Sequence, residues 1–199
     1  MAGHIVILNG HPDQQRLCGA LADRFQKGAE QHSSITRFDL ADMAFDANLA
    51  HGYQQIQPLE EDLLALRQAI TDCDHLVIVA PVWWGGIPAR LKGLIDRTFL
   101  PGFAFRYEAN QTLPTQLLKG RRATLLFTLD TPPWYFRWVQ KAPAVYQLDK
   151  ATLSFSGFRP VKTLLFGPVI KASEQRIDQW LQQAESLGLK AGVKGRAIK

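Results

Sequence analysis

The sequence predicts an α/β protein: a doubly wound, five-stranded parallel sheet with helices on both faces. Three observations predict it. Short apolar runs rich in β-branched residues alternate five times with segments of helical periodicity. The run Leu76-Val77-Ile78-Val79-Ala80 is apolar at every position, as a strand covered on both faces requires. Turn residues punctuate the alternation, at Asn9-Gly10, Pro101-Gly102 and Pro132-Pro133.

Each element follows in order. Ile5-Val6-Ile7-Leu8 is a first buried strand that stops at Asn9-Gly10. Leu17, Ala20, Leu21, Arg24 and Phe25 recur at helical spacing, and a second strand runs from Ile35 to Leu40. Residues 41 to 58 lack periodicity and read as a loop. Leu59, Leu63, Leu64, Leu66 and Ile70 mark the next helix, with Glu60, Glu61 and Asp62 at its positive N-terminal end. The third strand, through Ala80, ends at Pro81, and Pro88 opens a helix that continues to Phe99. Residues 102 to 120 read as a long loop, Arg122 to Thr128 as the fourth strand, and the residues after Pro132-Pro133 as a second long loop. A helix near residues 144 to 156, a fifth strand from Val161 to Phe166 and a helix from Ser173 to Leu187 complete the set. Right-handed crossovers leave few topologies, and five strands favour the flavodoxin-like order 2-1-3-4-5.

At 199 residues the chain forms one domain, expected over residues 1–187, and needs no disulfide or metal staples. Apolar residues at 46% and charged residues at 21% exclude a disordered chain. No apolar stretch is long enough for a membrane span, and the start lacks the pattern of a signal peptide, so a cytoplasmic location is expected. Cys18 and Cys73 form no C-x-x-C pair, and no histidine follows His75, which argues against zinc or any other bound metal. The net charge of +5 raises nucleic-acid binding. Four of the basic residues, Lys190, Lys194, Arg196 and Lys199, fall in residues 188–199, which carry no acid. Without them 19 basic side chains face 18 acidic ones, so the body is near neutral and residues 188–199 read as a basic, frayed tail.

Ligands of open parallel sheets bind past the carboxyl ends of the strands. The loop after strand one, Asn9 to Cys18, has neither the Gly-rich dinucleotide turn nor a P-loop. By itself it reads as a solvated turn with a helix cap, although a helix N-terminus flanked by His11 and Arg16 also suits an anion. The loop after strand three sets Trp83 and Trp84 beside Gly85 and Gly86, offering flat faces for stacking and close backbone approach, or packing against a partner subunit. After strand four, Trp134, Tyr135, Phe136 and Trp138 form an aromatic cluster of the kind that marks a binding site or interface. A flat, largely apolar cofactor with one polar edge suits the three loops together.

Pro81 to Gly93 reads Pro-x-x-Trp-x-Gly-x-Pro-Ala-x-Leu-Lys-Gly, followed by Asp96-Arg97 and Gly102-Phe103-Ala104-Phe105-Arg106-Tyr107. With His11 and Leu17 in the first loop, these motifs resemble the NAD(P)H:quinone oxidoreductases of the flavodoxin-like superfamily over roughly residues 4 to 187. The stretch Thr128 to Tyr135 is similar to a bacterial subgroup of that family. The resemblance implies a homodimer with its active site at the interface and non-covalent FMN or FAD. It implies ping-pong hydride transfer from NADH or NADPH to flavin and on to a quinone-like acceptor. It also implies that Val82, Trp83 and Trp84 meet the flavin ring, that Thr128, Leu129 and Asp130 line its pyrimidine edge, that Leu17 lies near the phosphate arm, that His11, Arg16, Cys18, Pro81 and Gly85 also belong to the cofactor site, and that Tyr135 is the catalytic tyrosine.

Three positions depart from the pattern. Leu129 and Asp130 stand where the family has two glycines, and a carboxylate at the ring's carbonyl edge lowers its potential unless it turns away or pairs with Arg137. The histidine that follows the family's tyrosine is missing, which leaves Arg137 or Lys141 for any charge relay. Trp83 replaces a smaller polar residue and narrows the acceptor pocket. An accessory subunit that binds flavin or nucleotide without turnover is the alternative. Lys92, Arg97 and Arg106 read as phosphate partners or, more commonly, solvated charges. Ser154-Phe155-Ser156-Gly157 lacks a nucleophile elbow, which excludes a Ser-His-Asp hydrolase.

Overall fold

A computed structural model describes residues 3–109 and 111–193. Five strands form the central parallel sheet: β1 (Gly3–Asn9), β2 (Ser33–Asp39), β3 (His75–Pro81), β6 (Arg122–Thr128) and β7 (Val161–Phe166). Their spatial order is β2-β1-β3-β6-β7, which is the predicted order 2-1-3-4-5 when only sheet strands are counted. The chain crosses between strands through α1 (Leu17–Ala29), α2 (Glu61–Asp72) and α3 (Ala89–Thr98), and α6 (Glu174–Val193) closes it.

The apolar strands alternate between two cores, as a sheet covered on both faces must. Val6 and Leu8 of β1 with Leu76, Ile78 and Ala80 of β3 face α2 and α3. Ile5, Ile7, Val77 and Val79 face α1 and α6. Trp180, read as core, is 5% exposed and packs edge-on against Phe166.

Three regions between α3 and β7 differ from the sequence reading. The loop at 102–120 contains a two-stranded antiparallel ribbon, β4 (Phe105–Arg106) with β5 (Thr115–Gln116). The loop after Pro132 contains the short helix α4 (Pro133–Trp138), which starts where proline suits the first turn. The helix near 144–156 divides into α5 (Pro143–Val145) and a π-helical segment, Tyr146–Ser154.

The last helix runs to Val193 rather than ending at Leu187, so residues 188–193 of the expected frayed tail are helical. Glycines on both helices serve close packing here. A Cβ on Gly188 would lie 2.0 Å from the Phe25 carbonyl oxygen, and one on Gly28 would lie 2.0 Å from that of Glu185, so α1 and α6 touch backbone to backbone. Residues 194–199, the rest of that tail, lie outside the described residues. No described helix is long and apolar enough to cross a membrane, and no metal-ligating cluster occurs among the described residues.

Candidate active site

Hydrogen bonds pin the first residue beyond each central strand to the neighbouring strand. Gly10 N–H donates to Val79 O at 2.7 Å, Val82 N–H to Thr128 O at 2.8 Å, and Leu129 N–H to Phe166 O at 3.0 Å. Side chains join the same loops. The Cys18 thiol lies 3.2 Å from the Thr128 hydroxyl, and His11 meets Trp83 edge to face at 5.7 Å between ring centroids. The mouths of β1, β3 and β6 are therefore held as one surface.

This surface encloses a cavity of about 210 Å³ lined by His11, Arg16, Leu17, Cys18, Pro81, Val82, Trp83, Thr128, Leu129 and Asp130, together with Val169. Ten of the thirteen predicted site residues thus meet in one place. An adjoining cleft of about 940 Å³ adds Trp84 and Gly85 and shares Val82, Trp83, Leu129 and Asp130. Tyr135, the remaining one, does not line either space. It stands on α4, 39% exposed, with its ring edge-on to Trp134.

A two-residue turn shapes the β3 mouth. Trp83 and Gly86 exchange both backbone hydrogen bonds at 2.9 Å, and the residues between them, Trp84 at φ 51° and Gly85 at φ 78°, are left-handed. Two positive φ values are what a type I′ turn needs. Glycine adopts that conformation freely, whereas at Trp84 it costs about 1–2 kcal/mol. That conformation presents the Trp84 indole fully to solvent. The backbone N–H groups of Trp84 and Gly85 bond to nothing among the described residues.

The first loop ends in an uncapped helix. Arg16, the N-cap residue of α1, makes no side-chain cap, and the N–H groups of Leu17, Cys18 and Gly19 have no acceptor among the described residues. The helix cap expected from sequence is absent. Three free donors and the positive end of a 13-residue helix suit an anion there. Asp13 lies close by, paired with Arg16 at 2.7 Å, and the Gln15 N–H, with Arg16 second, lowers the carboxyl pKa of Asp13. His11 Nδ1 accepts from Asp13 N–H at 2.9 Å, so the proton of the neutral ring is on Nε2. Burial lowers the His11 pKa and favours that neutral form. Burial also pushes the Cys18 thiol up to about 11, which makes it a packing group and not a nucleophile.

The Asp130 carboxylate accepts the Ile170 N–H at 2.9 Å rather than pairing with Arg137, and it lies where the two spaces join. Lys92 and Arg106 pair with Asp96 and Glu108. Arg97, read as a phosphate partner or a solvated charge, is neither: it is fully buried, where it bonds Glu60 and the carbonyls of Asp46 and Pro58 and so anchors the 41–60 loop. Of the aromatic cluster, Phe136 is buried, while Trp134 and Trp138 are exposed.

Val169, Thr131, Gln140 and Pro143 also line the site. Val169 follows β7 in a loop, Gly167-Pro168-Val169, that has a glycine but no aromatic residue to mark it. Gln140 and Pro143 reach the cleft only because α4 folds back over it, with Ala144 N–H bonded to Gly85 O at 2.9 Å.

A doubly wound sheet whose cleft opens beside its first, third and fourth strands defines the class of protein. The chain belongs to the flavodoxin-like fold family, which it matches over residues 3–187. It is 32% identical over 200 residues to an FMN-dependent NADH:quinone oxidoreductase of Shewanella loihica, covering 91% of this chain and 94% of that one. It is 31% identical over 135 residues to an uncharacterized NAD(P)H oxidoreductase of Haemophilus influenzae, covering 64% of each. The chain spans about three fifths of the length of several curated relatives, 64%, 58% and 61% in three of them. Its fold is also that of the NAD(P)H:quinone oxidoreductase from Methanothermobacter marburgensis, with a TM-score of 0.80 at 22% identity, covering 96% of this chain and 100% of that one.

Proposed function

We propose that this chain is an FMN-dependent NAD(P)H:quinone oxidoreductase acting as a homodimer. One observation carries the reading: the mouths of β1, β3 and β6 form a single lined space beside three free N–H groups at the start of α1. A flat heterocycle with a phosphate arm fits that combination. The Shewanella relative, alike over nearly the whole chain, supports FMN as the form of flavin and a quinone as the acceptor class.

Bound FMN supplies a ring that takes up hydride and gives it to an acceptor. The protein's part is positioning. Leu17, Cys18 and Gly19 N–H groups would hold the phosphate, and Trp83 and Leu129 would flank the ring. Trp84 and Gly85 N–H groups are available to its heteroatoms, and Thr128 and Asp130 border its polar edge. NAD(P)H and the acceptor use the larger cleft in turn, in ping-pong order. Trp134, Tyr135 and Trp138 stand exposed on α4; a second copy seated there would cover them and bring Tyr135 to the ring.

Purified protein reconstituted with FMN is expected to oxidise NADH or NADPH with simple quinones and to give parallel reciprocal plots. FMN that binds but supports no turnover would leave the accessory-subunit alternative. Tyr135→Phe is expected to slow flavin reduction or reoxidation while FMN stays bound; unchanged half-reactions in stopped flow would remove that role.

A further inference from the structure

We propose that the amino-terminal end of the sheet carries a second ligand site, for a small anion with an apolar body such as an aryl sulfonate or a medium-chain carboxylate. The site is a cavity of about 440 Å³ between the starts of β3, β6 and β7 and the last turns of α6. That size lies within the range of small-molecule sites, about 300–1,000 Å³. His75 and Pro81 are the first and last residues of β3, so the cavity and the flavin cleft lie about 20 Å apart along the strand. The two sites are separate.

The walls are apolar: Leu187, Leu189 and Ala191 from α6, Ala123 from β6 and Pro160 before β7. Charge enters with one sign. Arg122, Lys162 and Lys190 all line the cavity, and among the described residues no acidic side chain does. Asp74 acts on Arg122 from outside it. Lys162 and Lys190 form no ion pair among the described residues. An apolar enclosure with cations only selects a ligand that carries an anionic head on a hydrocarbon or aromatic body. Inorganic phosphate would leave the walls without a partner, and a neutral lipid would leave Lys162 and Lys190 without one.

His75 is the second observation. A histidine at the start of an otherwise apolar strand is 5% exposed and meets Phe25 edge-on. Its Nε2 lies 2.9 Å from the Thr124 hydroxyl, and both residues line the cavity. Nδ1 is buried and has no hydrogen-bond partner among the described residues. Burial and the nearby positive charges of Arg122 and Lys162 keep the ring neutral. The direction of the Nε2–Thr124 hydrogen bond depends on the ring's tautomer; with Nε2 accepting, Nδ1 carries a proton that has no acceptor among the described residues.

The test uses the full chain and 8-anilinonaphthalene-1-sulfonate as fluorescent probe. Saturable one-to-one binding is expected, with displacement by decanoate and at least tenfold weaker displacement by decanol. Lys162 and Lys190 are both exposed, so the double variant Lys162→Glu/Lys190→Glu keeps its fold, which its melting curve checks. It is expected to weaken the probe at least tenfold, as is Leu187→Trp, which fills the cavity. Saturating FMN is expected to leave the probe in place. Equal competition by decanol, unchanged affinity in both variants, or displacement by FMN would each overturn the proposal. Loss of FMN binding with the probe retained would instead count against the reading of the cleft alone.

Discussion

Trp180 and Trp84 have opposite surroundings in the same chain. Trp180 sits in the layer formed by α1 and α6, 5% exposed, against Phe166 on one side and with the Arg176 guanidinium 5.7 Å from its ring centre. Trp84 sits at the tip of the β3 mouth, fully exposed on a left-handed backbone. The contrast extends to their neighbours. In the α1–α6 layer, glycines let two helix backbones touch and helix ends are packed. At the mouth, a helix start is uncapped, N–H groups lack acceptors among the described residues and aromatic side chains face solvent. The first region gains its stability from contacts already made. The second keeps groups ready for contacts with something else, at some cost in local backbone strain. Substitutions in the layer should therefore change stability, and substitutions at the mouth should change binding.

The largest effect is expected in the layer. Gly188→Leu forces α1 and α6 apart, because its Cβ alone would come within 2.0 Å of the Phe25 carbonyl oxygen. Urea denaturation should show a loss of about 3 kcal/mol or more. A loss under about 1 kcal/mol would mean that the two helices part readily.

Next is an acid sensitivity located at His75. Burial, with Arg122 and Lys162 nearby, lowers its pKa from 6.5 to about 3. The unfolded chain thus binds the proton more readily than the folded one. The stability from this group is complete above the unfolded pKa of 6.5 and is lost as pH falls from there toward 3. Between pH 7 and pH 5 the protein should lose about 2 kcal/mol through this group. His75→Leu should flatten that slope in urea melts at the two pH values; an unchanged slope would place the titration elsewhere.

The mouth should respond in the other way. Trp84→Gly relieves a left-handed backbone, so stability should stay level or rise by up to about 1 kcal/mol. FMN affinity should fall about tenfold, measured by quenching of flavin fluorescence. A marked loss of stability would show that Trp84 is structural and erase the contrast. The smallest effect is expected at Asp130, whose carboxylate is oriented by Ile170 N–H at the edge assigned to the ring. Asp130→Asn removes one negative charge there, and the midpoint potential of bound flavin should rise by about 30 mV for each 1.4 kcal/mol of lost repulsion. No shift in a spectroelectrochemical titration would mean that the carboxylate lies out of reach.

The layer was partly hidden in the sequence, and the mouth was mostly visible. The unbroken apolar run of β3 and its alternation with helical periodicity gave the sheet order, because crossover handedness leaves few ways to arrange such elements. Residues 188–193 were misread because Gly188, Gly192 and Lys190 resemble a fraying end; only the partner helix α1 explains why small residues belong there. Ten predicted site residues meet in one cavity because they sit next to strand ends, and a strand end is easily read from sequence. Gln140 and Pro143 escaped because a short helix and the turn at Lys141 and Ala142, both left-handed, carry them back over the cleft. Arg97 escaped because a buried arginine looks like any surface one until its carbonyl partners, distant in sequence, are known.

Adding FMN to the apoprotein tests the central claim most directly. Flavin fluorescence should be quenched to a sharp one-to-one end point, and a charge change at the α1 terminus, Leu17→Glu, should abolish it while the melting temperature holds. Apoprotein that is folded by circular dichroism and quenches neither FMN nor FAD at any ratio would contradict a flavin site at the mouths of β1, β3 and β6.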